Sequence, residues 1–480
     1  MKSKIHFFNP GHETAILQGS ENYTPPANVQ RMIRELSYLP VWYADPEDFV
    51  FTEEIASPRF FSLQPKELRP FAKLISRKEI KQQKDNLPEM QAAPWGLSPH
   101  SHSLFEKLRK NGSLNLTIPE WKEEYTRLTS RQTAAGCLDK IRELLPDMDV
   151  PVSPKFCKKV REVEKYLILQ NAPFVLKTPY SSSGRGLLWL PERKLTAKDR
   201  VWIEGALNKQ GCVSIECALD KYQDFAMEFY SDGNGNVRYE GLSVFGAEKK
   251  GAYSGNVLGE QAYLESFFVE NFGDKFQQLK EAVGEAIRQI YGNIYTGYLG
   301  VDMLVYRRKT NGEFAIHPCI EVNMRYTMGM VALRISQKYL APNARGDMRI
   351  TYTNKPGEAY EQHCFMKKAY PLEMKDGKIR EGYISLCPVT RETKYRLIFW
   401  FSNLCVYHWG YRISHTWHFQ STGEIDNEAP EDGNHLRGLV FCMPLSFTGE
   451  RLHELLNSIY FSIINIKSGR LFSSHRVIAG

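Results

Sequence analysis

Two stretches in the second half of the chain limit its fold and chemistry most tightly. Gly297–Tyr306 reads GYLGVDMLVY, an apolar run of strand character carrying one acid, Asp302. Ile316–Met330 reads IHPCIEVNMRYTMGM, with Glu321 and Asn323 two apart on a second strand. Side chains two apart on a strand leave the same face. Asp302, Glu321 and Asn323 are three oxygen donors, one of them neutral, a set that suits Mg²⁺ rather than zinc or copper. Mg²⁺ held by few protein ligands shares its other positions with water and substrate phosphates. The pattern points to nucleotide chemistry; alone, the trio also reads as solvated residues near strand ends.

Upstream, Asn171–Leu190 reads NAPFVLKTPYSSSGRGLLWL. Phe174–Lys177 is a short buried strand ending in a charge beside a Ser/Gly loop, Tyr180–Gly186. Glycines let backbone N–H groups approach an anion, and Arg185 adds a fork of donors. The spacing is not GxxxxGK[ST], so this is no P-loop; alone, it also reads as an ordinary hairpin turn. Between these pieces, Val213–Tyr230 (VSIECALDKYQDFAMEFY) has an apolar strand ending at Glu216. A polar break containing Asp224 follows, then another apolar strand. A carboxylate there can accept from an adenine amino group, and Asp224 from ribose; a plain charged hairpin fits as well.

In this order and separation, the Lys–Ser/Gly loop, the Glu-ended hinge and Asp…Glu-x-Asn-x-Arg resemble the ATP-grasp superfamily over roughly residues 128–334. The resemblance implies ATP clamped between two α+β subdomains behind a Rossmann-like domain. It also implies activation of a carboxylate as an acyl phosphate for attack by an amine or thiol. Carried over by residue, Lys177 and the loop with Ser182, Ser183, Gly184, Arg185 and Gly186 would meet the phosphates. Glu216, Cys217 and Leu219 would read adenine, Asp224 the ribose, and Val175 and Ile320 would be apolar walls. Asp302, Glu321 and Asn323 would hold one or two Mg²⁺ ions. Lys177 and Arg325 would be catalytic, with Arg325 stabilising the transferring group. One position departs from the family: Arg131, in TSRQTAAGCLDK, stands where an early lysine is usual. Arginine keeps the charge and can fork onto phosphate. Lys249 and Lys250 are a further cationic pair, readable as a mobile phosphate contact or as a solvated surface pair.

The chain has 480 residues, 42% hydrophobic and 24% charged, the profile of a globular protein with room for several domains. No apolar run reaches the roughly 18 residues of a membrane helix, and MKSKIHFFNPGHE is no secretory signal. A net charge of +7, without a dense patch, does not argue for nucleic acid. Nine cysteines, an odd number without a C-x-x-C pair, argue for reduced thiols. A cytoplasmic protein is expected, with small-molecule carboxylate and amine or thiol substrates, no nucleic-acid or membrane partner, and a homodimer open. His408, His415 and His418 lack a supporting acid or cysteine and are not read as a metal site.

The expected fold class is mixed α/β and α+β. Residues 1–127 form the Rossmann-like substrate domain, 128–212 and 213–345 the two grasp subdomains, 346–396 an extension, and 397–480 a poorly patterned segment. Lys4–Phe8 and Pro40–Tyr43 read as strands, and Ala27–Leu36 and Ser101–Lys110 as helices. The resemblance implies His12, Glu13 and Trp95 as candidate substrate contacts, with His12 a candidate base; as a lone loop histidine, His12 also reads as a local turn residue. Thr133–Leu145, Phe276–Tyr291 and Met328–Leu340 read as helices, and Met348–Tyr352 and Gly382–Thr390 as strands. The last 84 residues hold three of the eight tryptophans with poor periodicity. They read as an accessory domain or as sequence foreign to the fold, such as a shifted frame. Three functions stay open: an ADP-forming ligase, a kinase that stops at phosphoryl transfer, and a non-catalytic ATP-binding module.

Overall fold

The computed structural model describes residues 2–401, apart from 56, 71, 172, 182–185 and 248–252. Ser182, Ser183, Gly184, Arg185, Lys249, Lys250, His408, His415 and His418 therefore lie outside the described residues.

Strands β1 (Ser3–Phe7), β2 (Phe49–Phe51), β3 (Lys73–Ile75), β4 (Met90–Pro94) and β5 (Leu116–Thr117) form a parallel sheet in the order β3-β2-β1-β4-β5. Parallel sheets are covered on both faces, which suits the wholly buried triplet Phe49–Phe51. Ile5, Phe7 and Phe51 pack against Phe105 and Leu108 of the helix Pro99–Gly112. Ligands of such sheets gather at the carboxyl ends of the strands; here those ends carry Asn9–Glu13 and Trp95–Ser98. The expected strand Pro40–Tyr43 is instead a 3-10 helix, Leu39–Trp42, with all four residues buried. Pro40 has no N–H for a ladder, and a segment buried on every side need not alternate.

The second sheet is antiparallel, in the order β6-β9-β7-β8: β6 Lys155–Cys157, β7 Phe174–Lys177, β8 Leu187–Leu190 and β9 Val213–Cys217. The helices Val160–Leu169 and Ala197–Gln210 bury Val163, Leu167 and Ile203 against it.

The third sheet has nine strands: β10 Asp220–Asp232, β11 Val237–Ala247, β12 Tyr253–Leu258, β13 Thr296–Arg307, β14 Phe314–Asn323, β15 Gly346–Tyr352, β16 Glu373–Lys375, β17 Lys378–Ser385 and β18 Tyr395–Phe401. Its order is β14-β13-β10-β11-β12-β15-β18-β17-β16, antiparallel throughout. Leu299, Val301, Met303 and Val305 of β13 alternate into the core, meeting Phe276, Leu279, Val283 and Ile287 of the helix Asp274–Tyr291. Residues 346–401 thus continue the sheet that carries Asp302. Tyr395, Leu397, Phe399 and Phe401 are buried in alternation, so 397–401 complete β18 rather than opening an irregular segment. The strand expected over Gly382–Thr390 runs from Lys378 to Ser385 and stops short of Pro388.

A parallel α/β sheet followed by two α+β units is the fold class expected from the sequence.

Candidate active site at the meeting of the three sheets

Asp302 and Glu321 stand directly opposite one another on β13 and β14, and Asn323 opposite Gly300. All three side chains occupy the face turned away from the Val301–Val305 core. Burial pushes the Asp302 carboxyl well up, and the neighbouring Glu321 and Glu228 charges push the same way. A concentration of buried negative charge of this kind is one that a cation relieves.

Beneath it lies a group the sequence reading missed. Glu228 of β10 is 1% exposed; it accepts from Thr327 Oγ1 at 2.9 Å and from Ser243 Oγ at 3.0 Å. Burial raises its carboxyl to about 7. Two glycines make its room. A Cβ on Gly300 would sit 2.8 Å from Glu228 Oε2, and one on Gly329 would sit 2.0 Å from Oε1. Thr327 also caps the helix Met328–Tyr339, accepting from Met330 N at 2.9 Å. The available signal was an acid on the site-facing parity of an apolar strand, AMEFY, with glycines in both elements that pack on it.

Arg131 opens the helix Arg131–Leu144, which Ser130 caps through Gln132 N. Its guanidinium donates to Thr178 O and Ser181 Oγ, both at 2.7 Å, and to Glu321 Oε2 at 2.7 Å. One side chain therefore ties the chain after β7 to the Asp302–Glu321 pair. At the end of β7, Lys177 forms an ion pair with Glu216 of β9. Burial acts to raise the Glu216 carboxyl, but Lys177, then His317 and Arg131, outweigh it and hold it low. Val175 is buried beside Glu216 in the ladder, Ile320 is partly buried, and Gly186 O accepts from Thr178 N at 3.0 Å. Cys217 Sγ lies 3.6 Å from Asn171 O, and Leu219 is half-buried in the link to β10. Asp224, expected in a polar break, lies inside β10 and pairs with Lys221 Nζ at 2.7 Å. The thirteen-residue strand runs through the polar stretch because β13 pairs with it from Asp220 onward, and β11 joins on the other side at Asp224.

The second missed group is His317. The register slips from Asp302↔Glu321 to Leu304↔His317, a bulge in β14 that sets His317 two positions along from Asp302 on the partner strand. His317 interacts electrostatically with Glu216 and Lys177 across the cleft, and burial lowers its imidazole to about 4.

From the parallel sheet, Glu13 Oε1 accepts from Arg325 Nε at 2.6 Å, while Arg325 Nη2 donates to Asn323 Oδ1 at 2.8 Å. Burial would raise the Glu13 carboxyl, but Arg325 and His12 outweigh it and hold it far below the usual range. His12 Nδ1 lies 3.3 Å from Glu13 Oε2 without a hydrogen bond, and neither ring nitrogen has a hydrogen-bond partner among the described residues. Gly96 makes room for that ring, since a Cβ there would meet it at 2.4 Å. Trp95 O accepts from Tyr326 N at 2.9 Å, so this loop is also held to the chain after β14.

Arg131, Lys177, Glu216, Asp302, Glu321, Asn323, Arg325, His12 and Glu13 are thus linked in one polar cluster, while Asp224 engages its own strand. Among the described residues, no three His, Cys, Asp or Glu are grouped to hold a metal ion. Two carboxylates and an amide are instead an all-oxygen set, with three cations alongside, which fits Mg²⁺ and phosphate.

No family model matches the chain, and no curated protein matches it. Solved structures do match in chain path. One is N5-carboxyaminoimidazole synthetase from Staphylococcus aureus complexed with ADP, at 14% identity and TM-score 0.42, covering 84% of this chain and 94% of that one. Another is a biotin carboxylase–β-γ-ATP complex from Campylobacter jejuni, at 12% identity and TM-score 0.46, covering 83% and 87%. A third is the biotin carboxylase domain of 2-oxoglutarate carboxylase from Hydrogenobacter thermophilus with MgADP, ADP and bicarbonate, at 13% identity and TM-score 0.42, covering 83% and 86%. At these identities and TM-scores the likeness adds nothing about activity, which is read from the chain's own residues. No helix among the described residues is long and apolar enough to cross a membrane.

Proposed function

We propose that this chain is an ATP-dependent, ADP-forming ligase of the ATP-grasp type, joining a carboxylic acid to an amine or thiol. The observation that carries the reading is Arg131, which bonds Thr178 O and Ser181 Oγ on one side and Glu321 on the other. It brings the lysine-ended strand and the acid–amide strands to one cleft. Asp302, Glu321 and Asn323 would hold one or two Mg²⁺ ions. Bound Mg²⁺ neutralises phosphate charge, the main demand of phosphoryl transfer. Lys177, Arg131 and Gly186 N–H, with the adjoining Ser182–Arg185 loop, would take the phosphates. Glu216, Cys217 and Leu219 would face the base between Val175 and Ile320, with Asp224 toward the ribose.

The substrate acid would lie between Arg325 and the loop bearing His12, Glu13 and Trp95. Its oxygen attacks the γ-phosphorus and ADP leaves. The amine or thiol then attacks the acyl carbon, phosphate leaves, and the proton passes to a base, for which His12 is placed. Arg325, freed from Glu13 by substrate, would bear the charge on the transferring group. A cytoplasmic site of action is part of the same reading, which leaves a homodimer open.

The test is product analysis with Mg·ATP and pools of acids with amines or thiols, the Asp302→Asn/Glu321→Gln protein serving as blank. ADP and free phosphate rising together only with both substrates supports a ligase. ADP without free phosphate makes it a kinase and refutes ligation.

A further inference from the structure

His317 has no part in the proposed phosphoryl transfer or in the Mg²⁺ site. Its side chain is 3% exposed, and neither ring nitrogen has a hydrogen-bond partner among the described residues. Buried polar groups are nearly always bonded, so an orphan on the wall of a cleft asks for a ligand. The bulge in β14 sets it opposite Leu304, on the face that carries Asp302. Its electrostatic neighbours are Glu216 and Lys177, which belong to the other sheet. The ring therefore lies within electrostatic reach of the acid assigned to the base and the lysine assigned to the phosphates. Burial keeps it neutral at neutral pH, so one nitrogen donates and the other accepts.

We propose that His317 is a base-specificity residue: its N–H donates to a ring nitrogen of adenine while Glu216 accepts from the 6-amino group, an inference that rests on the nucleotide reading above. A 6-amino purine offers a donor beside ring-nitrogen acceptors, whereas a 6-oxo purine turns an acceptor toward the Glu216 carboxylate. The pair thus selects ATP over GTP.

Equilibrium binding of the Mg²⁺ complexes of ATP, GTP, 1-deaza-ATP and 7-deaza-ATP to the full chain tests this. Wild type should bind ATP more tightly than GTP and lose about tenfold with one deaza analogue, the worth of one hydrogen bond. His317→Leu should bind ATP about tenfold more weakly and show no further loss with that analogue, and His317→Gln should regain part of the loss. Equal wild-type affinity for ATP and both analogues overturns the proposal, and this needs no variant to fold. Equal losses for every nucleotide in His317→Leu also overturn it, as they mark a packing role. Wild type that binds no nucleotide at all defeats the ATP reading itself, and the inference with it.

Discussion

Gly329→Ala tests whether the cleft floor is built around a buried acid. The added Cβ would lie 2.0 Å from Glu228 Oε1 and 2.3 Å from Ser243 Oγ. Both neighbours are within 2% of full burial, so neither can swing into solvent. Overpacking of this kind costs roughly 1–3 kcal/mol, and a Glu228 acceptor separated from its hydroxyl donor adds about 1–3 kcal/mol. Gly329 lies in a helix, where alanine returns up to about 1 kcal/mol. The expected net loss is about 3 kcal/mol. Gly205 is also helical, but a Cβ there meets nothing within 4 Å. Gly205→Ala should therefore be neutral or stabilising by up to about 1 kcal/mol. Urea denaturation should show a lower midpoint for Gly329→Ala alone, with an unchanged slope. Equal midpoints for Gly329→Ala and wild type would refute the packing around Glu228.

Glu228 also predicts a pH effect. Its folded pKa is raised from 4.5 to about 7, so its contribution is full below the unfolded value and is lost as pH rises through about 7. That difference is worth about 3 kcal/mol, and Glu228→Gln should gain on wild type between pH 5 and pH 8 in denaturation midpoints; a constant gap would contradict it. Glu13→Gln leaves Arg325 without its charged partner in a buried site and should cost about 3–5 kcal/mol, part of it recovered by adding Arg325→Met. Because Glu13 is held low, its contribution is present above the ordinary carboxylate range and lost as pH falls through and below it; a pair that melts no earlier at pH 3 than the Glu13→Gln protein does, relative to pH 7, would speak against it. Arg131→Lys keeps a charge but cannot fork onto three acceptors, and should weaken Mg·ATP binding by about tenfold without altering the far-ultraviolet circular dichroism spectrum. Unchanged affinity would remove Arg131 from the site.

Much of the candidate site was legible because its residues interrupt strong patterns. Asp302 is an acid in an apolar strand, Glu321 and Asn323 share one parity, and the helix over residues 274–291 repeats its apolar positions at helical spacing. Lys177 ends a four-residue buried strand at the position the sequence marks. What stayed hidden depends on partners distant in the chain. The bulge in β14 is marked in IHPCI only by Pro318, which has no N–H for the ladder, and a proline does not say which residue is displaced, yet the bulge decides where His317 lies. Glu228 looked like one more charge after Asp224 until Gly300, Gly329, Thr327 and Ser243 converged on it. Pro40–Tyr43 misled because it is buried on all sides, so apolar content carried no period. β18 joins two strands from elsewhere in the sheet, β15 and β17, and its pairing could not be read from Tyr395–Phe401 alone.

Everything above depends on this cleft binding ATP with Mg²⁺. Calorimetric titration of the full chain with ATP, with and without Mg²⁺, beside Glu321→Gln tests it most directly. Saturable binding is expected at one site per chain, strengthened by Mg²⁺ in wild type, with that strengthening lost in Glu321→Gln. No binding, or binding with the same Mg²⁺ dependence in both proteins, would contradict it.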